Sequence, residues 1–499
     1  MFASGNLPLK RPLIMSTFDP ISLSMKIIDL LEQNGAKDVM IVGGFVRDRL
    51  LGIPSKDVDI EVYGLSYSEI LKILAPSFHV DLVGKAFGVI KVGNVVDVAL
   101  PRRESKNGFG HKGFDVEAVS DLNPYEAFAR RDFTINAIGM RRDGSYFDPF
   151  NGIADLKKKI LRATSPAFKD DPLRVLRGMQ FAARFGVRMD SKTIQFCRDV
   201  FDEFSTLPEE RVYEEWKKWA LKGVFPDLGL DVLRETGWVL AFPELEALIG
   251  CPQNPSWHPE GDVWNHTKLV CHEAAEAIRK YSPPLNEDER VIIMFASLCH
   301  DFGKPLTTKL DETGILRSRG HATASAPLAR KFLERMKAPN RIVNAVEPLV
   351  LEHMATQNDD VGPSARAVRR LAKRLSPANI KLWALLCQSD ALGCGATERY
   401  YAESQLSNEK DVARQFSSFE NESSCIRFKT DLWLRIAREL DISEKEPQPL
   451  VQGKDLLAIG VKPGPSMGKL LKFLFEEQID GKFLTKQKGV ERARELLNE

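Results

Sequence analysis

The chain has 499 residues, 43% of them hydrophobic, and a formal net charge of +1. That length suggests about three domains of roughly 150 residues, and the near-neutral balance leaves any contact with a polyanion to local patches rather than a global field. Seven cysteines without C-x-x-C spacing argue against a disulfide framework or thiolate zinc site and for a reducing cytoplasm, and no apolar run approaches the ~18 residues of a membrane span.

Residues 1–19 lack the apolar core of a signal peptide and read as a flexible extension, with Met15 as an alternative start. Residues 20–34 carry Ile21, Ile27, Leu30 and Leu31 at helical spacing. The apolar run Asp38–Val42 predicts a buried strand that closes on Gly43-Gly44, after which Arg47–Leu51 reads as helix. A glycine turn between strand and helix allows close backbone approach and suits a phosphate. Asp57, Asp59 and Glu61 alternate with Val58, Ile60 and Val62, which predicts a strand with its carboxylates on one face. Paired aspartates of this kind can hold Mg²⁺, which prefers oxygen ligands and keeps substrate phosphates in its shell. A Gly-Gly turn alone is usually only a turn, and D-x-D alone is usually a solvated face; their order and spacing raise the joint reading.

A helix follows at 66–75, then short strands at 78–83, 87–92 and 95–100. Arg102 to Asn123, polar and containing Gly108, Gly110 and Gly113, reads as a long loop. From about 155 the pattern turns almost wholly helical. Pro208 and Pro226 sit where helices would start, and the proline-bearing stretch Cys251–Asp262 reads as a linker. Residues 263–395 hold long helical segments, Ser404–Glu422 looks polar and loose, and a last helical piece runs from about 427. The expected class is α+β: a small mixed-sheet head at 20–155, a helical neck and body at 156–250, a third domain at 251–400 and a helical tail at 401–499.

Gly43-Gly-Phe-Val-Arg47-Asp48 with Asp57-Val-Asp59 resembles the signature of class II tRNA nucleotidyltransferases and bacterial poly(A) polymerases, in the DNA polymerase beta superfamily. Arg130–Ile138, Asp148–Asp155, Asp170–Arg177 and Glu210–Glu215 resemble the same family in the same order. His300-Asp301 with His266 upstream resembles the HD phosphohydrolase domain fused to some bacterial CCA-adding enzymes, and Gly460–Gly468 looks like that family's tail.

For the head, the resemblance implies Mg²⁺ on Asp57 and Asp59, with Gly43, Gly44, Arg47, Asp48, Arg131, Asp132 and Asn136 toward ribose and phosphate. Of the later carboxylates, neither Asp97 nor Glu104 stands out as a third ligand. Asp171 and Arg174 lie i, i+3 on a presumed helix; an acceptor beside a bidentate donor can present an edge to a base, and the family uses this pair as a template for C or A. Arg177 continues the stripe with Phe181 and Arg184. Asp170 stands where many members have Glu. Glu210 and Arg211 read equally well as helix-start residues.

His300-Asp301 ends the apolar run Val291–Cys299, and buried His and Asp need partners that a metal would supply. Imidazole plus carboxylate suits a divalent transition metal. The resemblance implies His266, His300, Asp301 and Asp390 as its ligands, with His321 and His353 as second-metal or substrate residues and Lys304 facing phosphate. Arg366, Arg370, Lys373 and Arg374 share a helical face suited to RNA phosphates. The resemblance therefore implies a cytoplasmic enzyme that adds C and A from CTP and ATP to tRNA 3′ ends without a template, with a second phosphohydrolase activity. Poly(A) polymerase, a CC-only or A-only enzyme, and an HD phosphohydrolase with an idle head are the alternatives.

Overall fold

The computed structural model describes residues 20–81, 88–93, 95–106, 114–356, 362–394 and 420–498, the side chains of 104–118 and 420–428 excepted. The extension 1–19, Gly108, Gly110, Gly113, the Glu104 side chain and residues 404–419 of the loose segment lie outside what is described. The chain divides into two compact units, one formed by residues up to Val175 with Val187–Leu207, the other by Leu176–Gly186 with Pro208 onward.

The first unit is built on strands β1 (Asp38–Val42), β2 (Val58–Tyr63), β3 (Val80–Asp81), β4 (Val89–Val92), β5 (Val96–Ala99), β6 (Arg102–Lys106), β7 (Phe114–Ala118), β8 (Gly139–Met140) and β9 (Tyr146–Phe147). Seven of them form one mixed sheet in the order β3-β4-β5-β2-β1-β8-β9. β1 and β2 are antiparallel and pair Val42 with Asp59; β2 and β5 are parallel and pair Asp59 with Asp97. The alternation in β2 buries Val58, Ile60 and Val62. The Pro20–Gln33 helix buries Leu23, Ile27, Ile28 and Leu31 and packs on β1 and β2. Ser66 and Glu69 close a capping box on the Tyr67–Leu74 helix, which fixes its start.

One expectation needs correction. The segment 102–123 is not all loop: β6 and β7 pair antiparallel, Arg102 opposite Ala118 and Lys106 opposite Phe114. Their charged, glycine-flanked composition hides the alternation that marks a half-buried strand. The region after 155 is almost wholly helical, with Ile160–Leu161 and Arg188–Met189 as a short parallel pair.

Gly152 opens the Gly152–Lys158 helix, and a Cβ there would lie 2.1 Å from the Thr134 carbonyl oxygen. Backbone cannot yield as a flexible side chain does, so Gly152→Ala is expected to destabilise the first unit by about 1–3 kcal/mol, read as a lower denaturant midpoint.

The second unit is helical. Its core gathers Trp216, Trp219, Phe242, Phe295 and Phe332 at edge-on and tilted ring contacts. The Glu287–Cys299 helix is buried without a break from Val291 to Cys299, so it delivers His300-Asp301 into the interior. The short hairpin Lys309–Leu310/Leu316–Arg317 interrupts the helices. At the C-terminal end Val451, Leu456, Leu474, Phe483 and Ala493 form a small separate core. Among the described residues no helix is long and apolar enough to cross a membrane.

Candidate functional site

In the first unit β1 runs into Gly43, which adopts φ 71° and ψ −136°, a conformation that strains any residue with a Cβ. A Cβ at Gly43 would sit 3.4 Å from Arg131 Nη1 and 3.7 Å from Asp59 Oδ2. The turn therefore lies beside the start of β2. Asp57 and Asp59 are exposed there, whereas Glu61, on the same face of the strand, is covered and takes Arg131 Nη2 at 2.6 Å. Part of the Asp59 carboxylate is nevertheless closed off, and that desolvation raises its pKa. Asp97, Asp57 and Glu61 push it the same way against the pull of Arg131. A carboxylate raised by desolvation and by neighbouring carboxylates is one that a bound cation would stabilise. Its all-oxygen donor set fits Mg²⁺. Asp97, passed over in the sequence, stands beside Asp59 through the parallel β2–β5 register and forms an ion pair with Lys91 at 3.1 Å. Only the strand pairing reveals it.

Arg47, Asp48, Asp132 and Asn136 come together, but below the surface, each at most 8% exposed. Arg47 donates to Asp48 Oδ1 (2.6 Å) and to Asn136 Oδ1 (2.5 Å), and Asn136 Nδ2 donates to Asp132 Oδ1 (2.9 Å). This network braces the Gly43-Gly44 turn from behind. Asp171 and Arg174 do not share a helix as expected. The helix is Leu173–Phe185, and Asp171 precedes it, accepting from the Leu173 amide at 3.0 Å. Arg174 donates to the carbonyls of Ala167 (2.7 Å) and Arg130 (2.8 Å). Arg177 lies over Phe181 at 5.3 Å. Glu209 and Glu210 open the Glu209–Lys222 helix with acidic charge in its first turn, and that agrees with the capping reading.

The second unit brings the expected histidines and aspartates into one buried centre. His266 and His300 face each other through Nε2 at 3.3 Å. Asp390 Oδ1 lies 3.0 Å from His266 Nε2, and Asp301 Oδ2 lies 3.2 Å from His300 Nε2. Asp301 Oδ1 turns to His321 Nε2 at 3.3 Å, and His321 and His353 oppose their Nε2 atoms at 3.1 Å. Lys304 Nζ joins Asp301 (2.7 Å) to Gln253 (2.7 Å). His266, His300, Asp301, His321 and His353 are buried, while the Asp390 side chain remains 23% exposed.

The tautomers follow from the outer partners. Nδ1 of His300, His321 and His353 meets the carbonyls of Ser297, Ser318 and Val350 at 2.8, 2.8 and 2.6 Å. A carbonyl only accepts, so each Nδ1 carries a hydrogen and each Nε2 is the nitrogen turned inward, able to bind a metal when the ring is neutral. Inward Nε2 atoms around two carboxylates call for a cation, either a proton or a metal. Burial disfavours charge on His300, yet Asp301 and Asp390 raise its pKa to about 9; at His353 burial and the neighbouring His300 and His321 lower it to about 4. Both His266/His300/Asp301 and Asp301/His321/His353 have metal-ligand spacing, and the nitrogen-and-oxygen donor set fits a divalent transition metal.

Glu260 was not anticipated. Its Oε1 lies 2.8 Å from Nδ1 of His266 and 2.8 Å from Nδ1 of His258. Burial opposes its charge, but these hydrogen bonds lower its pKa to about 2. Glu260 thus orients His266 from outside the centre. Such outer partners typically control metal affinity by about 10–100-fold. Glu260→Ala is expected to weaken metal binding by that factor, with Glu260→Gln, which still accepts from Nδ1, falling between. Chelator competition measures it, and an unchanged affinity in the alanine variant would refute the role.

The basic face is present but not free. Arg366 and Arg370 pair with Asp480 at 2.9 and 2.7 Å, Lys373 pairs with Glu476, and Arg374 with Glu352 at 2.7 Å. Arg366, Arg370 and Lys373 thus meet the Pro465–Ile479 helix and its end, while Arg374 meets the Asn340–Glu352 helix.

A carboxylate pair under a glycine turn in a mixed sheet, and an inward-facing His/Asp centre in a helical unit, together define a nucleotidyltransferase that carries an HD domain. Residues 39–162 match the Poly A polymerase head domain family and residues 263–391 match the HD domain family. The multifunctional CCA protein of Tolumonas auensis is 35% identical over 382 residues, covering 73% of this chain and 87% of that protein. The chain belongs to the family of multifunctional CCA proteins. In fold it is similar to the Bacillus stearothermophilus CCA-adding enzyme solved with CTP (TM-score 0.58, 22% identity, 97% of this chain and 100% of the other). It is also similar to the Thermotoga maritima CCA-adding enzyme solved with tRNA (TM-score 0.51, 17% identity, 96% of each).

Proposed function

We propose that the chain adds C and A from CTP and ATP to the 3′ end of tRNA in the cytoplasm, and that its HD centre hydrolyses phosphate esters or 2′,3′-cyclic phosphates on nucleotide ends. The observation that carries the first part is the placing of Gly43 beside Asp59 and Arg131, which sets the turn backbone next to a carboxylate and a guanidinium. Mg²⁺ held by Asp57 and Asp59 would lower the pKa of the RNA 3′-hydroxyl and neutralise the leaving pyrophosphate. The protein's own share is positioning. The Arg47–Asn136–Asp132 network holds the turn, Glu61 holds Arg131, and Arg174 is set at the start of the base-reading helix with Asp171 beside it. A divalent transition metal in the HD centre would supply a Lewis acid and an activated water. Lys304, fixed by Asp301 and Gln253, stands ready to neutralise phosphate.

The test is extension of three tRNA transcripts ending at the discriminator base, at C and at CC, each with CTP, ATP or both. Addition of CC and then a single A on the first supports the reading. ATP alone building a long tail moves it to poly(A) polymerase, a halt at CC or action only on the CC substrate marks a partial enzyme, and no incorporation refutes transfer.

A further inference from the structure

An indole lies open beside the HD centre. Trp257 is 46% exposed, and it precedes the stretch that matches the HD family, residues 263–391. It is held in a turn in which the amides of Trp257 and His258 both donate to the Asn254 carbonyl, at 3.1 and 2.9 Å. The next residue, His258, packs its ring edge-on against the metal-facing His266, centroids 4.8 Å apart. Earlier in the same segment Gln253 accepts from Lys304, which in turn meets Asp301.

The guanidinium of Arg317 lies over the Trp257 ring at 5.4 Å. Arg317 ends the short hairpin and precedes Ser318, whose carbonyl accepts from His321 Nδ1 at 2.8 Å. Both members of this pair are thus tied through adjacent backbone to opposite halves of the centre. Arg317 is also pre-set. Its Nε donates to Asp311 Oδ2 at 2.6 Å, and Asp311 Oδ1 takes the amides of Thr313 and Ile315 at 2.9 and 3.0 Å. With Nε so held, the guanidinium is fixed over one face of the partly exposed indole. An open indole with a fixed donor beside it is chemistry for a flat heteroaromatic ring with edge acceptors.

We propose that Trp257 and Arg317 form a nucleobase platform that stacks the base of the nucleotide whose phosphate enters the HD centre. This rests on the phosphohydrolase reading of that centre and goes beyond it by assigning what holds the rest of the substrate. Stacking would supply affinity without strict base choice, because every base has a π-face. Arg317 would favour bases with a ring or carbonyl acceptor toward it.

The full chain and its Trp257→Ala, Trp257→Phe and Arg317→Ala variants are compared on 2′,3′-cyclic AMP and on methyl riboside 2′,3′-cyclic phosphate, which lacks a base. The platform requires KM for cyclic AMP to rise about tenfold in Trp257→Ala. KM on the base-free ester should stay unchanged, and Trp257→Phe should stay near wild type. Equal losses on both esters, or no change on either, overturn it. In parallel, equilibrium dialysis with chelator present measures 2′-AMP binding without turnover. A Kd weakened by Trp257→Ala supports the platform even where wild type hydrolyses neither ester, an outcome that removes the phosphohydrolase reading alone. A 2′-AMP affinity independent of Trp257 overturns the platform.

Discussion

Asp59→Ala is expected to abolish incorporation of CTP and ATP while leaving hydrolysis at the HD centre at its wild-type rate. The carboxylate pair is the part of the head that would carry divalent cations, and such cations contribute several kcal/mol of charge stabilisation in phosphoryl and nucleotidyl transfer. A loss of about 4 kcal/mol is roughly a thousandfold in rate. Asp57→Ala should behave alike, since both residues are exposed at the start of β2. Asp59 is not part of a buried bracing network, so the thermal transition should barely move, and this separates a catalytic loss from a folding loss. Single-turnover extension of a tRNA ending in CC is the measurement. Retention of even a tenth of the wild-type rate in Asp59→Ala would refute the assignment.

Asp301→Ala should have the opposite signature. Asp301 is 1% exposed and is the one residue common to both triads with metal-ligand spacing. Its two oxygens serve different neighbours, Oδ2 toward His300 and Lys304 and Oδ1 toward His321. Removing it leaves the buried Lys304 ammonium without its carboxylate, and breaking a buried pair from one side costs about 3–5 kcal/mol. The helical unit should therefore unfold at lower temperature as well as lose metal, with hydrolysis falling below about a thousandth of wild type. Metal content by elemental analysis and the pre-extended tRNA assay complete the test: transfer, which uses Asp57 and Asp59, should persist. Hydrolysis surviving in Asp301→Ala would show that this centre is not the hydrolytic one.

How much of this was legible beforehand depended on whether partners lie close in sequence. Gly43 and the Asp57/Asp59 pair are readable because a strand, a turn and a strand with period-two alternation are local. The HD residues are readable because His300-Asp301 terminates a long apolar run, so burial itself announces that they need partners. What was missed is held by contacts that no local pattern encodes. Asp97 meets Asp59 only through a parallel register. Glu260 sits in a stretch read as linker, yet orients His266. Arg174 finds carbonyls 7 and 44 residues away. The basic face looked solvent-ready because its neutralising Asp480 is 110 or more residues distant.

That last pairing alters how polyanion binding should respond to salt. A polyanion carries condensed cations, and each phosphate neutralised by a free arginine releases them, which gives binding its steep dependence on ionic strength. Arg366, Arg370 and Lys373 already have Asp480 and Glu476 as covalently tethered counterions. A phosphate arriving there displaces a carboxylate of the same chain, which gathers cations in its turn, so fewer ions are returned to bulk on balance. Salt then acts on both sides of the exchange, screening the incoming phosphate and the departing carboxylate together. The slope of log affinity against log salt for tRNA should therefore be shallower than the number of basic residues on this face would give, and Asp480→Asn should steepen it.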